Sequence, residues 1–245
     1  MVQINISGTP EELGRAAAER IALEINRAIE KQGHARIALS TGASQFETLE
    51  ALVKMDIDWK KVTMFHLDEY VALPESHKAS FRKYLKERFV SKVDLAEAIF
   101  VDGEGDPERA IEYLSRRIAE NPIDVGVIGI GENGHVAFND PPADFETERP
   151  YIVVDLAPRC KQQQVGEGWF ESVEAVPAQA ISMSVRQIMS SRVIVSAVPH
   201  AAKAEAVQKT LLQSINCNVP ATILKSHPCW YLFLDVESAG LAFSL

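Results

Sequence analysis

The stretch GIGENGHVAFNDPP, residues 129–142, crowds Glu132, Asn133, His135, Asn139 and Asp140 into one short segment. An imidazole exchanges protons near neutral pH, and a carboxylate beside it can fix its tautomer. His135 and Asp140 have the residue types for that pairing. Asp68, in HLDEY (66–70), can act as a base if nothing neutralises it. GENGHVAFND contains no serine or cysteine nucleophile, so proton movement suits these residues better than acyl transfer. Each residue also has a plainer alternative. His135 can be a loop residue, Asp68 a cap, STGAS (40–44) a turn, and Lys203 a solvated helix cation.

The same stretch spells G-x-G-x-x-G through Gly129, Gly131 and Gly134, as dinucleotide-binding loops do. That reading needs a helix directly after the glycines and a strand ending in an acid about 20 residues on. Asp155 satisfies the count, but Pro141, Pro142 and Pro150 interrupt the segment where the crossover helix must run. A nicotinamide or flavin site is therefore not expected.

Periodicity supplies the elements that must position these residues. Helices are predicted over 9–33, 44–54, 78–90, 107–121 and 200–214. The first has Thr9 as a candidate cap, Pro10 in its first turn and Gly33 as its stop. Strands are predicted over 35–40, 61–67, 98–101, 123–131, 151–156, 180–185, 192–198 and 230–235. Strands alternating with helices imply a single α/β domain over 1–245, with three layers: a mainly parallel sheet and helices on both faces. Ligands of such sheets sit beyond the carboxyl ends of the strands. STGAS, HLDEY, GENGH and Lys203 each follow a predicted strand, so all four are placed at one edge of the sheet.

The chain has 245 residues and a formal net charge of -9, which disfavours non-specific contact with nucleic acid or anionic membranes. An anionic small substrate then needs a local basic pocket. No apolar run reaches membrane length, and MVQINISGTPEEL is unlike a secretory signal. Cys160, Cys217 and Cys229 lack metal-ligand spacing and read as reduced, packed thiols of a cytoplasmic protein.

The segments LSTGAS, HLDEYVALPESHKASFRKYL, GIGENGHVAFNDP and AAKAEAV resemble, in order and spacing, the glucosamine-6-phosphate deaminases. The resemblance covers nearly the whole chain. The wider superfamily includes 6-phosphogluconolactonases, but the continuation VAFNDP after His135 has the deaminase form. The resemblance implies that His135 opens the sugar ring and that Asp68 moves a proton from C2 to C1. It implies that Asn133 and Asp140 orient His135. It gives Thr41, Gly42, Ala43, Ser44 and Lys203 to the phosphate, and it implies neither cofactor nor metal. Asp140 stands where many members have the longer Glu, so its contact with His135 is expected to need a water or a loop shift. Gly168 falls near the arginine that members use for the phosphate, and Arg149, Arg159 and Lys161 are possible substitutes. The expected partner is a small phosphosugar; the sequence leaves the epimer and the oligomeric state open. A lactonase and a phosphosugar-sensing module remain as other readings.

Overall fold

The computed structural model describes residues 2–243. Met1, Ser244 and Leu245, which belong to the expected 1–245 unit, lie outside the described residues.

In chain order the elements are β1 (Gln3–Ser7), α1 (Pro10–Gln32), β2 (Ala35–Leu39), α2 (Phe46–Leu52), β3 (Val62–His66), β4 (Asp68–Tyr70), α3 (Phe81–Arg88), β5 (Glu97–Ile99), α4 (Pro107–Ala119) and β6 (Val125–Val127). They continue with β7 (Tyr151–Asp155), α5 (Pro158–Gly166), β8 (Gln179–Met183), α6 (Val185–Met189), β9 (Val193–Val198), α7 (Ala204–Leu212), β10 (Trp230–Asp235) and α8 (Val236–Phe243). The signals at the ends of α1 act as the sequence implies. Thr9 accepts from the Glu12 N–H at 3.2 Å, and Gly33 closes the helix at φ 83°.

A seven-stranded sheet runs β1-β10-β9-β6-β2-β3-β5, with every neighbouring pair parallel. Its strands alternate their side chains between two apolar layers. Ile37, Leu39, Met64, Val195 and Phe233 pack with α1, α2 and α3 on one face. Ala38, Phe65, Ile194, Leu232 and Leu234 pack with α4, α6, α7 and α8 on the other. After β2 the chain builds outward through β3 and β5; after β6 it builds the other way through β9 and β10. The order therefore reverses between adjacent β2 and β6, where open α/β sheets leave a crevice.

Two expectations need correction. The strands predicted at 151–156 and 180–185 are not part of the parallel sheet. They are β7 and β8, which form an antiparallel three-stranded sheet with β4, in the order β4-β8-β7. Alternation of elements along a chain cannot say which sheet a strand joins. The strand predicted at 123–131 is a ladder only over Val125–Val127. Beyond it the backbone is buried but turns into the 129–142 loop, because the Gly131 N–H bonds the His135 carbonyl at 2.9 Å. The short edge strands β1 and β4 carried no recognised signal.

Candidate functional site

The crevice between the ends of β2 and β6 gathers the distant segments. Thr41, Gly42 and Ser44 line it from the turn after β2, and Asp68 from the start of β4. His135 lines it from the 129–142 loop, and Lys203 from the turn after β9. Ala43 begins a 3-10 turn, Ala43–Gln45, but does not line the pocket. The predicted helix 44–54 therefore starts late, at Phe46. Asn133 and Asp140 stand behind His135 rather than in the pocket wall.

The glycine spelling has a local explanation. A Cβ on Gly131 would lie 2.2–2.4 Å from the His135 ring atoms, so only glycine leaves room for the imidazole. Gly134 has φ 84° and closes the turn by donating to the Gly131 carbonyl at 2.9 Å. These glycines seat a side chain; the rejected dinucleotide reading is not needed to explain them.

Asn133 is tied in both directions. Its Oδ1 accepts from the His135 backbone N–H at 3.0 Å, and its Nδ2 donates to Asp140 Oδ1 at 2.8 Å. Asp140 Oδ2 accepts from the Ala157 N–H at 3.0 Å. His135 Nδ1 lies 3.3 Å from Asp140 Oδ1, although the approach is too oblique for a well-formed hydrogen bond. The shorter side chain thus brings an oxygen to within 3.3 Å of the imidazole. Burial pushes the Asp140 carboxyl up, but His135, Asn133 and the Ala157 N–H together hold it below its ordinary value.

Asp68 is treated oppositely. Burial, and then the neighbouring Glu69 carboxylate, push its carboxyl up to about 8, with only the Phe138 N–H opposing them. Adjacent Glu69 takes the available donors. It accepts from Ser80 Oγ at 2.9 Å, the Arg82 N–H at 2.9 Å, the Tyr70 N–H at 3.0 Å and Arg82 Nε at 3.3 Å. Glu69 thereby fastens the start of α3 to β4 and leaves Asp68 facing the pocket with little to stabilise its charge.

Lys203 reaches the pocket through a strained turn. His200, at φ 78°, has its N–H fixed by Asp235 Oδ2 at 2.8 Å, and its carbonyl receives the Lys203 N–H at 3.0 Å. Burial lowers the Lys203 pKa, against the raising influence of Glu167 and Glu132.

None of the substitutes for the missing arginine lines this pocket. Arg149 is an exposed partner of Glu108, and Arg159 lies 3.7 Å from Glu205. Instead α5 and its C-terminal turn supply Gln163, Gln164 and Glu167 to the wall, with a carboxylate one residue before Gly168. Gln163 Oε1 accepts from the Glu132 N–H at 3.2 Å, and its Nε2 donates to Glu167 at 2.7 Å. Gln164 accepts from the Tyr70 hydroxyl at 2.8 Å. Sequence reasoning missed these residues and Phe81, also in the wall. The only signal was negative: KQQQVGEGWF departs from the motif where an arginine was sought.

Fold and site together define an α/β protein with a histidine, a carboxyl raised by burial and one lysine at a switch-point crevice. The model of the family described as glucosamine-6-phosphate isomerases/6-phosphogluconolactonase matches residues 8–231, and the chain belongs to that family. It is 35% identical over 230 residues to a glucosamine-6-phosphate deaminase of Listeria monocytogenes, covering 93% of this chain and 96% of that one. A glucosamine-6-phosphate deaminase of Streptococcus pneumoniae is 30% identical over 223 residues, covering 91% and 94%. The solved structure of a monomeric glucosamine-6-phosphate deaminase superposes with a TM-score of 0.89 at 28% identity, covering 98% of this chain and 99% of that one. A putative 6-phosphogluconolactonase from Neisseria gonorrhoeae shares the fold at a TM-score of 0.77 and 20% identity, with 96% and 100% covered.

Proposed function

We propose that this protein is an aldose–ketose isomerase and deaminase that converts glucosamine 6-phosphate to fructose 6-phosphate and ammonia. The observation that carries the chemistry is the pairing, in one pocket, of His135 with a carboxyl, Asp68, raised to about 8. A base for a carbon acid is useful when its pKa lies near the working pH.

The substrate phosphate is held by Lys203 and by the polar turn Thr41–Ser44. His135 moves a proton at the ring oxygen and opens the ring, oriented by Asn133 and Asp140. Asp68 then takes the C2 proton of the open-chain aldehyde, giving a C1–C2 enolamine, and returns a proton to C1. The product is the 2-imine; water adds at C2 and ammonia leaves. The chemistry closes on the chain's own acids and bases. No helix of the described residues is long and apolar enough to cross a membrane.

The test is a panel of hexosamine 6-phosphates and 6-phosphogluconolactone. Ammonia and fructose 6-phosphate are expected from glucosamine 6-phosphate. In deuterated water the product should carry solvent deuterium at C1. Lactone hydrolysis with no ammonia from any amino sugar would make the lactonase the correct reading. Ligand-induced thermal stabilisation without turnover would point to a sensor.

A further inference from the structure

Cys160 is unremarked by sequence spacing, yet α5 places it against the centre just described. Ala157, whose N–H is held by Asp140, caps this helix, and Cys160 lies on its buried face. The Cys160 thiol, a ring nitrogen of His135 and a carboxylate oxygen of Asp140 all lie within 4.8 Å of one another. We propose that Cys160, His135 and Asp140 form an inhibitory binding site for a borderline-soft divalent cation of the zinc type.

The donor chemistry selects the ion. One sulfur, one imidazole nitrogen and one carboxylate oxygen suit zinc or cobalt and disfavour magnesium or calcium, which require mainly oxygen. The spacing is within reach as well. Ligands at zinc bond lengths stand roughly 3.3–3.6 Å apart around a tetrahedron when one is a sulfur, so donor pairs that lie at most 4.8 Å apart need to contract by no more than about 1.5 Å. His135 Nδ1 and Asp140 Oδ1 already stand 3.3 Å apart.

The second observation is an unmet need for a cation. His135 Nδ1 is buried and without a hydrogen-bond partner, and it faces the carboxylate. A bare ring nitrogen opposite a carboxylate is repulsive; a proton or a metal ion between them removes that repulsion. Each Asp140 oxygen accepts one hydrogen bond from the chain, from Asn133 Nδ2 and from the Ala157 N–H, so each keeps a lone pair for a metal. Binding exchanges protons for metal without redox change. The thiol proton, and any proton on Nδ1, pass to solvent as the metal–sulfur and metal–nitrogen bonds form. Three protein ligands leave a fourth position for water.

The inhibitory consequence rests on the proposed role of His135, since the ion takes the contact that orients the imidazole. The binding itself does not. The probe is Co2+, added to protein first dialysed against a chelator. One equivalent should give tetrahedral visible bands and a thiolate-to-cobalt charge-transfer band, both removed by one equivalent of Zn2+. The Cys217→Ser/Cys229→Ser variant, with Cys160 as its sole thiol, should keep that band. Cys160→Ser should lose it, and the Zn2+ concentration that halves its ammonia release should rise at least tenfold. A charge-transfer band that persists in Cys160→Ser, or is missing from the folded double variant, overturns the site. If Cys160→Ser does not fold, the double variant decides alone. If no ammonia is released by any form, the deaminase reading has failed, and the cobalt spectra still decide the metal site.

Discussion

Asp68 and Asp140 are carboxylates of the same length, one in the pocket wall and one behind His135, and the fold treats them in opposite ways. Asp140 sits among donors, and its charge is welcome. Asp68 is buried next to a second acid that has claimed the donors, and its charge is resisted. The difference assigns the labour. A carboxylate that stays ionised is a fixed partner for an imidazole; a carboxyl that ionises reluctantly is the stronger base once it does. Residue type is the same in both, so the environment makes the distinction.

The largest effect that can break this comparison is on turnover. Asp68→Asn keeps the shape but removes the base, and kcat should fall about 10²–10⁴-fold. KM should change little, because the phosphate contacts are untouched. Stopped ammonia assays and deuterium incorporation at C1 measure both; near-normal turnover would remove Asp68 from the mechanism.

The same substitution should stabilise the fold. The unfolded chain releases the Asp68 proton near the ordinary value of 3.8, and the folded protein holds it to about 8. The folded state therefore binds more protons across that window. Stability falls as pH rises through it and levels off above about pH 8. Asp68→Asn removes the penalty, by on the order of a few kcal/mol at pH 8, and by little near pH 3. Denaturant melts at the two pH values check the sign. An equal loss of stability at both would mean that Asp68 is held as a structural acceptor.

Lys203→Ala should raise KM more than it lowers kcat, since a phosphate contact is made alike in ground and transition states. Loss of one charge-assisted bond costs about 1.5–3 kcal/mol, roughly 10–150-fold. A collapse of kcat at constant KM would assign Lys203 to the chemistry instead.

The smallest effect sharpens the comparison. In the wild type kcat/KM should rise with pH to a midpoint near 8 as Asp68 ionises, then fall where Lys203, its pKa lowered by burial, loses its proton. Asp68→Asn should lose the rising limb and keep the falling one. A rising limb unchanged in that variant would belong to another group.

Much of this was legible in the sequence because it depends on local rules. Helix α1 carries its cap, proline and stop in its own residues, and β2, β3, β9 and β10 are apolar runs of strand length. Strand-end placement puts Thr41, Asp68, His135 and Lys203 at one edge from the sequence alone, because parallel strands share a direction. The second sheet was not legible, since pairing partners are chosen by surfaces far apart in the chain. Gln163, Gln164 and Glu167 were missed for the same reason: α5 carries no chemical signature, and only docking against the 129–142 loop gives its residues a pocket to line.

By itself, then, the sequence determined the inventory: which acids, bases and cations exist, which strand each follows, and that Pro141 and Pro142 bar a dinucleotide loop. Tertiary structure decided what each is worth. It left Asp68 with little besides the Phe138 N–H by giving the other donors to Glu69, and it turned the carboxylate of Glu167, next to the position sought for an arginine, into the pocket wall. It also set Cys160 beside His135 and Asp140, although the three share no ligand spacing along the chain. The physical reason is common to all three. Proton affinity and ligand geometry depend on desolvation and on distances of a few ångströms, and those are fixed only when segments remote in sequence pack together.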